Sequence, residues 1–267
     1  MTPQADKIAA FRALHTEGCF LLPNPWDAGS ARYLQALGFK ALASTSAGFA
    51  WSMGRNDYGL QVDEVVAHLA ALCAATDIPV NADFEGGFAV EPEGVAANVL
   101  KAAEAGVAGL SIEDRASAGS GEPLIDLSLA AERIRAAAQA LRPTGVLLTA
   151  RYEGFLLGRT DVSEAIARLT AYAEAGAECL FAPGLRTDAD IRAVVAAVAP
   201  LPVNVISWEP GWTPSHLEAL GVRRVSIGGV LARTAYGAAM SAAKAWLDGA
   251  PLAAVAPPIP MGEVFKG

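Results

Sequence analysis

The sequence predicts an α/β fold, a single (β/α)₈ barrel of the TIM type. Three observations carry this reading. One β-then-α unit recurs eight times, its strands are apolar throughout, and 267 residues suit one barrel of about 250 residues. Strands without alternation belong to a parallel sheet covered by helices on its outer face. An open doubly wound sheet is the other parallel solution, but no GxGxxG turn follows the first strand.

The elements follow in order. Strands are placed at 19–22, 40–44, 78–83, 108–113, 145–150, 178–182, 202–206 and 223–227. Helices are placed between them at 27–37, 62–76, 92–105, 127–141, 161–175, 187–198 and 214–220, with 229–247 closing the set. Acids mark several helix starts: Asp63 and Glu64, Asp126 with Ser128, and Asp161 with Glu164. Each return to a strand passes through a glycine, in ALGFKAL (36–42), EAGVAGL (104–110), EAGAECL (174–180) and ALGVRRV (219–225). Glycine there supplies the positive φ that ends a helix. The barrel domain is read as 1–247. The apolar, Pro-rich tail 248–267 is expected to pack on the barrel or on a neighbouring subunit.

Composition excludes several classes. Hydrophobic residues make up 53% of the chain, enough for a large core and against disorder. The net charge of −8, with arginines scattered singly, leaves no basic stripe for nucleic acid. No apolar run is long enough for a membrane span, and the charged start MTPQADKIAAFRALH is not a signal peptide, so a cytoplasmic protein is expected. Cys19, Cys73 and Cys179 have no CxxC spacing and read as buried thiols.

Barrel chemistry sits on the loops after the strands. The third end reads NADFEGGF and the fourth IEDRASAGSGEP. Asp83 and Glu85 lie two apart at one strand end, and Glu113 and Asp114 close the next. Carboxylates so gathered repel one another unless a cation neutralises them, and a hard, oxygen-seeking Mg²⁺ (or Mn²⁺) suits a set without His or Cys. The same acids could instead cap helices or pair with Arg115 and Arg151. Arg151 ends the fifth strand, where it can clamp a substrate carboxylate through two parallel N–H bonds, pair with Glu153, or do each in turn. Ser44, Thr45 and Ser46 can offer hydroxyls and backbone N–H groups to a carboxylate, or simply form a turn. Asn204, in the seventh end NVISWEPGW, is a further candidate for binding substrate. His15 and His68 are expected inside outer-layer helices, and His216 at the rim. SIGGV after the eighth strand reads equally as a phosphate turn or as tight packing.

LPNPWDAGSAR, the long second loop ending GRND, NADFEGGF, SIED and ARYEGF resemble the isocitrate lyase/phosphoenolpyruvate mutase superfamily over about residues 8–247. The resemblance implies a Mg²⁺-dependent barrel that makes or breaks C–C or P–C bonds beside a small 2-oxo acid, through an enolate. It implies that Asp57, Asp83, Glu85 and Glu113 hold Mg²⁺ directly or through water, that Ser44, Thr45 and Ser46 bind the substrate carboxylate, and that Arg151 orients it. It also implies a homodimer or homotetramer, with the last helix exchanged between subunits. The chain departs from the pattern after IED. Isocitrate and methylisocitrate lyases carry a Lys-Lys/Arg-Cys-Gly-His loop there, whose Cys is the acid/base, and this chain has RASAGSGEP. Protonation then falls to a metal-bound water, to Tyr152 or to another rim group. The expected activity is a carbon–carbon lyase or decarboxylase of 2-oxo or 2-hydroxy di- or tricarboxylates. A phosphonopyruvate-type P–C enzyme and a 2-oxo acid binding protein with little turnover are the alternatives.

Overall fold

A computed structural model describes residues 2–116, 121–251 and 262. Eight parallel strands form one sheet: β1 Phe20–Leu22, β2 Leu42–Ala43, β3 Val80–Asp83, β4 Gly109–Glu113, β5 Leu147–Arg151, β6 Cys179–Phe181, β7 Val203–Ile206 and β8 Arg224–Ser226. Their order is β1-β8-β7-β6-β5-β4-β3-β2. Between β1 and β2 the Ala43 N–H donates to the Pro23 carbonyl at 3.0 Å, which brings the two edges together. The predicted barrel is thus an eight-stranded, barrel-like parallel sheet of the TIM type.

The helices are α1 Gln4–Leu14, α2 Ala28–Ala36, α3 Ser46–Ser52, α4 Val62–Ala75, α5 Pro92–Glu104, α6 Leu127–Leu141, α7 Val162–Glu174, α8 Asp188–Val198, α9 Pro214–Ala219 and α10 Val230–Leu247. The expected starts are in place. Asp126 accepts from the Ser128 N–H and Asp161 from the Ser163 N–H. The glycine returns are also in place, with φ of 95° at Gly38, 101° at Gly106, 108° at Gly176 and 92° at Gly221. At each, an L side chain would be strained, so glycine ends the helix and aims the chain at the next strand.

Two helices differ from expectation. α1 runs beneath the barrel, and its Phe11 packs so close to Gly109 at the foot of β4 that no side chain fits there. Its polar groups tie it to strand and helix ends: Lys7 donates to the Cys73 and Thr76 carbonyls, and Arg12 to Gly145 O and Glu178. His15 therefore lies under the barrel rather than in the outer layer, in edge contact with Phe11 and Phe20 and beside Arg224. α3 interrupts the long second loop, started by Thr45, whose hydroxyl accepts from the Gly48 N–H. At the SIGGV turn the backbone is tightly packed: a Cβ on Gly229 would stand 3.1 Å from the Trp51 indole. The tail 252–261 and 263–267 lies outside the described residues. Among the described residues no helix is long and apolar enough to cross a membrane.

Candidate active site

Period-two alternation decides which strand-end residues face inward. Glu113 and Arg151 are in register across the β4–β5 ladder and both point into the barrel mouth. Arg151 Nη1 lies 3.4 Å from Glu113 and 3.5 Å from Asp83, and its Nε donates to Glu153. Burial works against the guanidinium charge, but Glu153, Glu113 and Asp83 hold its proton well above the usual arginine range.

The acids around it crowd one another. Burial pushes Glu85 up to about 8, with Asp83 and Asp57 adding to the rise. Burial likewise raises Asp57, with Asp83 next, while a Ser46 hydrogen bond opposes it. Glu113 is driven well above the carboxylate range by burial; Arg151 pulls it back, and Glu153 and Asp83 push it further. Asp83 is held from β2: its N–H donates to Ser44 Oγ at 2.8 Å and its Oδ2 accepts from the Ser46 N–H at 3.0 Å. Asp57, Asp83, Glu85, Glu113 and Arg151 are thus brought together as expected. Glu85 arrives by a left-handed turn, φ 46°, rather than by continuing the strand.

Other expectations are corrected. Tyr152 follows the inward Arg151, so alternation turns it outward into the helical layer. Its ring packs over Gly154 and beside Phe155, with Arg168 at 6.0 Å from the ring centre. Burial and then the Glu164 carboxylate push its phenol up to about 12. It is no rim acid. Asp114 likewise faces outward, accepting from Tyr172 at 2.6 Å and Arg168 at 3.1 Å. Asn204 is buried lower in the barrel, where its amide donates to Ser226 and accepts from Arg224; Arg224 in turn reaches Thr149, one layer below Arg151. Its amide is spent there, away from the acids. Thr45 uses its hydroxyl to start α3, which leaves Ser44, just after β2, and Ser46, the first residue of α3, on Asp83. His216 pairs with Asp188 on α8 at 2.8 Å. His68 stacks on Phe49, ring centres 3.7 Å apart. No described cysteine approaches the mouth: Cys179 begins β6, Cys19 precedes β1 and Cys73 lies in α4. Burial raises all three thiols, Cys19 and Cys73 to about 11. Of the loop RASAGSGEP, residues 117–120, Gly119 among them, lie outside the described residues.

One participant escaped the sequence reading. Tyr58, next to Asp57, donates its phenol to Glu113 Oε1 at 2.7 Å, and its ring lies 4.5 Å beneath the Arg115 guanidinium. An aromatic inside the polar stretch GRNDYG was the available signal. The pairing of Arg151 with Glu153 is present: Glu153 is fully buried, with Oε1 on Arg151 and Oε2 without a protein partner among the described residues.

The donor set fits a hard cation. Every donor is an oxygen, the acids raise one another, and Glu85 Oε1 is buried with no protein partner. As they stand, no three acids among the described residues converge closely enough to hold an ion, and Arg151 supplies the positive charge between Asp83 and Glu113.

Comparison with known proteins places the whole barrel in one family. The family model described as phosphoenolpyruvate phosphomutase matches residues 11–247. An uncharacterized protein of Mycobacterium tuberculosis is 38% identical over 242 residues, covering 90% of each chain. A crystal structure from Burkholderia cenocepacia, described only as a lyase/mutase, superposes with TM-score 0.94 at 45% identity, over 99% of this chain and 97% of that one. The oxaloacetate acetylhydrolase structure with its product oxalate superposes with TM-score 0.87 at 27% identity, over 99% and 95% of the two chains.

Proposed function

We propose that this chain, which belongs to the phosphoenolpyruvate mutase/isocitrate lyase superfamily, is a Mg²⁺-dependent lyase of a small 2-oxo or 2-hydroxy acid. It breaks a C–C bond, by cleavage or decarboxylation, and leaves the electron pair on the 2-oxo fragment as an enolate. One observation carries the reading: Arg151 Nη1 stands between Asp83 and Glu113 at the mouth, one cation among buried acids.

Asp83, Glu85 and Glu113, with Asp57, would hold the ion. Mg²⁺ bound there supplies Lewis-acid polarisation of the 2-oxo group and neutralises charge that develops on it. The chain's own groups do the rest. Arg151 binds and orients the substrate carboxylate, and the planar fork suits that task. Ser46 presents its backbone N–H to Asp83, which fixes that acid. Burial pushes Glu113 well above the usual carboxylate range, and the Tyr58 phenol on Oε1 with Arg151 beside Oε2 fixes the orientation of its carboxyl group.

The absence of a thiol from the described mouth favours a second reading, a 2-oxo acid binding protein with little turnover. Oxaloacetate, methylisocitrate, isocitrate and phosphonopyruvate, each assayed with and without Mg²⁺, separate the outcomes. Turnover of a carboxylate supports the lyase, turnover of phosphonopyruvate a P–C enzyme, and binding without turnover the second reading.

A further inference from the structure

Beside the acids lies a cavity of about 750 Å³, bordered by Asp57, Glu85 and Glu113 on one side. Its other wall is mostly apolar, Leu60, Phe88, Val90, Leu124 and Leu129, drawn from the loops after β2, β3 and β4 and from the start of α6, with Arg115 and Arg133 among them. This space exceeds what a two- to four-carbon acid fills, since ligand pockets of roughly 300–1,000 Å³ serve much larger molecules. Val90, which lines it, is 52% exposed.

The backbone marks the same place. Among the described residues three non-glycine residues have positive φ, Tyr58 at 62°, Glu85 at 46° and Phe88 at 55°, and all three line this cavity. Such conformations cost about 1–3 kcal/mol each and persist where surrounding structure enforces them, often at ligand clamps. Tyr58 lines the cavity with its phenol on Glu113 and its ring under Arg115. The second lining cation, Arg133, donates to the Gly86 and Ala89 carbonyls.

We propose that this cavity is an apolar subsite for an uncharged hydrocarbon substituent on the carbon chain of the bound 2-oxo acid. The proposal rests on the 2-oxo acid reading above and narrows it: the substrate carries its charge at the Arg151 end and an alkyl or aryl group at the Leu129 end.

Titration calorimetry of the Mg²⁺-loaded protein with pyruvate, 2-oxobutyrate, 2-oxopentanoate, 2-oxohexanoate and phenylpyruvate tests it. Burial of each methylene is expected to raise affinity about fourfold, from about 0.8 kcal/mol per CH₂, with phenylpyruvate well above pyruvate. In the doubly substituted Val90→Asp/Leu129→Asp protein, the rise per methylene, taken relative to pyruvate in that same protein, is expected to vanish. Affinity that stays flat or falls along the series while pyruvate binds overturns the subsite alone; so does a slope unchanged by the double substitution. Failure of every member to bind, pyruvate included, overturns the subsite together with the 2-oxo acid reading.

Discussion

Glu113 and Arg151 face each other across the β4–β5 ladder, paired in register and 3.4 Å apart between Oε2 and Nη1. The guanidinium has a second carboxylate on the same nitrogen, Asp83, and a third on Nε, Glu153. Its orientation is therefore set before substrate arrives. Arg151→Lys keeps the charge and loses the fork, so oxalate or pyruvate affinity should fall by roughly 2–3 kcal/mol in calorimetry. Equal affinity in the variant would remove the clamp from the account.

Two tyrosines give opposite expectations. Tyr58→Phe removes the phenol that donates to Glu113 Oε1. Losing a hydrogen bond to a buried carboxyl costs about 1–3 kcal/mol, so thermal stability and turnover should both drop. Tyr152→Phe alters a side chain in the helical layer, and 2-oxo acid affinity should stay within about twofold of the parent. A large loss of affinity in Tyr152→Phe at unchanged stability would mean that the phenol reaches the mouth after all.

This contrast marks how far the sequence could be read. The barrel was legible because its signals are local: apolar runs, acids at helix starts, and the glycines at 38, 106, 176 and 221, all with positive φ. Asp57, Asp83, Glu85, Glu113 and Arg151 were legible because strand ends in a barrel converge. Tyr58 was not, because its place depends on a left-handed backbone that no propensity predicts. Tyr152 was misplaced because the residue after an inward-facing Arg151 turns outward, and nearness to a strand end does not show this. α1 went unread because its partners, Gly109, Gly145 and Glu178, lie far along the chain. Asn204 faces inward as expected of its strand, yet one layer too deep.

His68 supplies a pH prediction. Burial lowers it to about 4 from 6.5, with Asp27 opposing. A base whose folded pKa is depressed contributes stability that is full above the unfolded pKa and is lost as pH falls through the folded one. Part of the stability should therefore disappear between about pH 6.5 and 4. His68→Phe keeps the stack on Phe49 and cannot protonate, so its melting temperature should fall less over that window. Parallel acid profiles for the two proteins would show that His68 does not contribute.

Assembly is proposed from α10. Of its residues only Ala232 is buried, while Tyr236, Met240, Trp246 and Leu247 are exposed. On β1, Leu21 is also exposed. An amphipathic helix and a strand face left open together favour a second copy of this chain as cover. Light scattering at micromolar concentration should give a mass of two or four chains. A mass of one chain would contradict this.

The acids matter most, because the proposed chemistry depends on their holding Mg²⁺ beside Arg151. The direct measurement is calorimetric titration of oxalate with Mg²⁺, with excess EDTA, and with Mg²⁺ after Asp83→Ala. We expect measurable affinity in the first condition and its loss, by tenfold or more, in the other two. Oxalate affinity that is indifferent to chelator and to Asp83→Ala would contradict the metal site, and Arg151 alone would then account for binding.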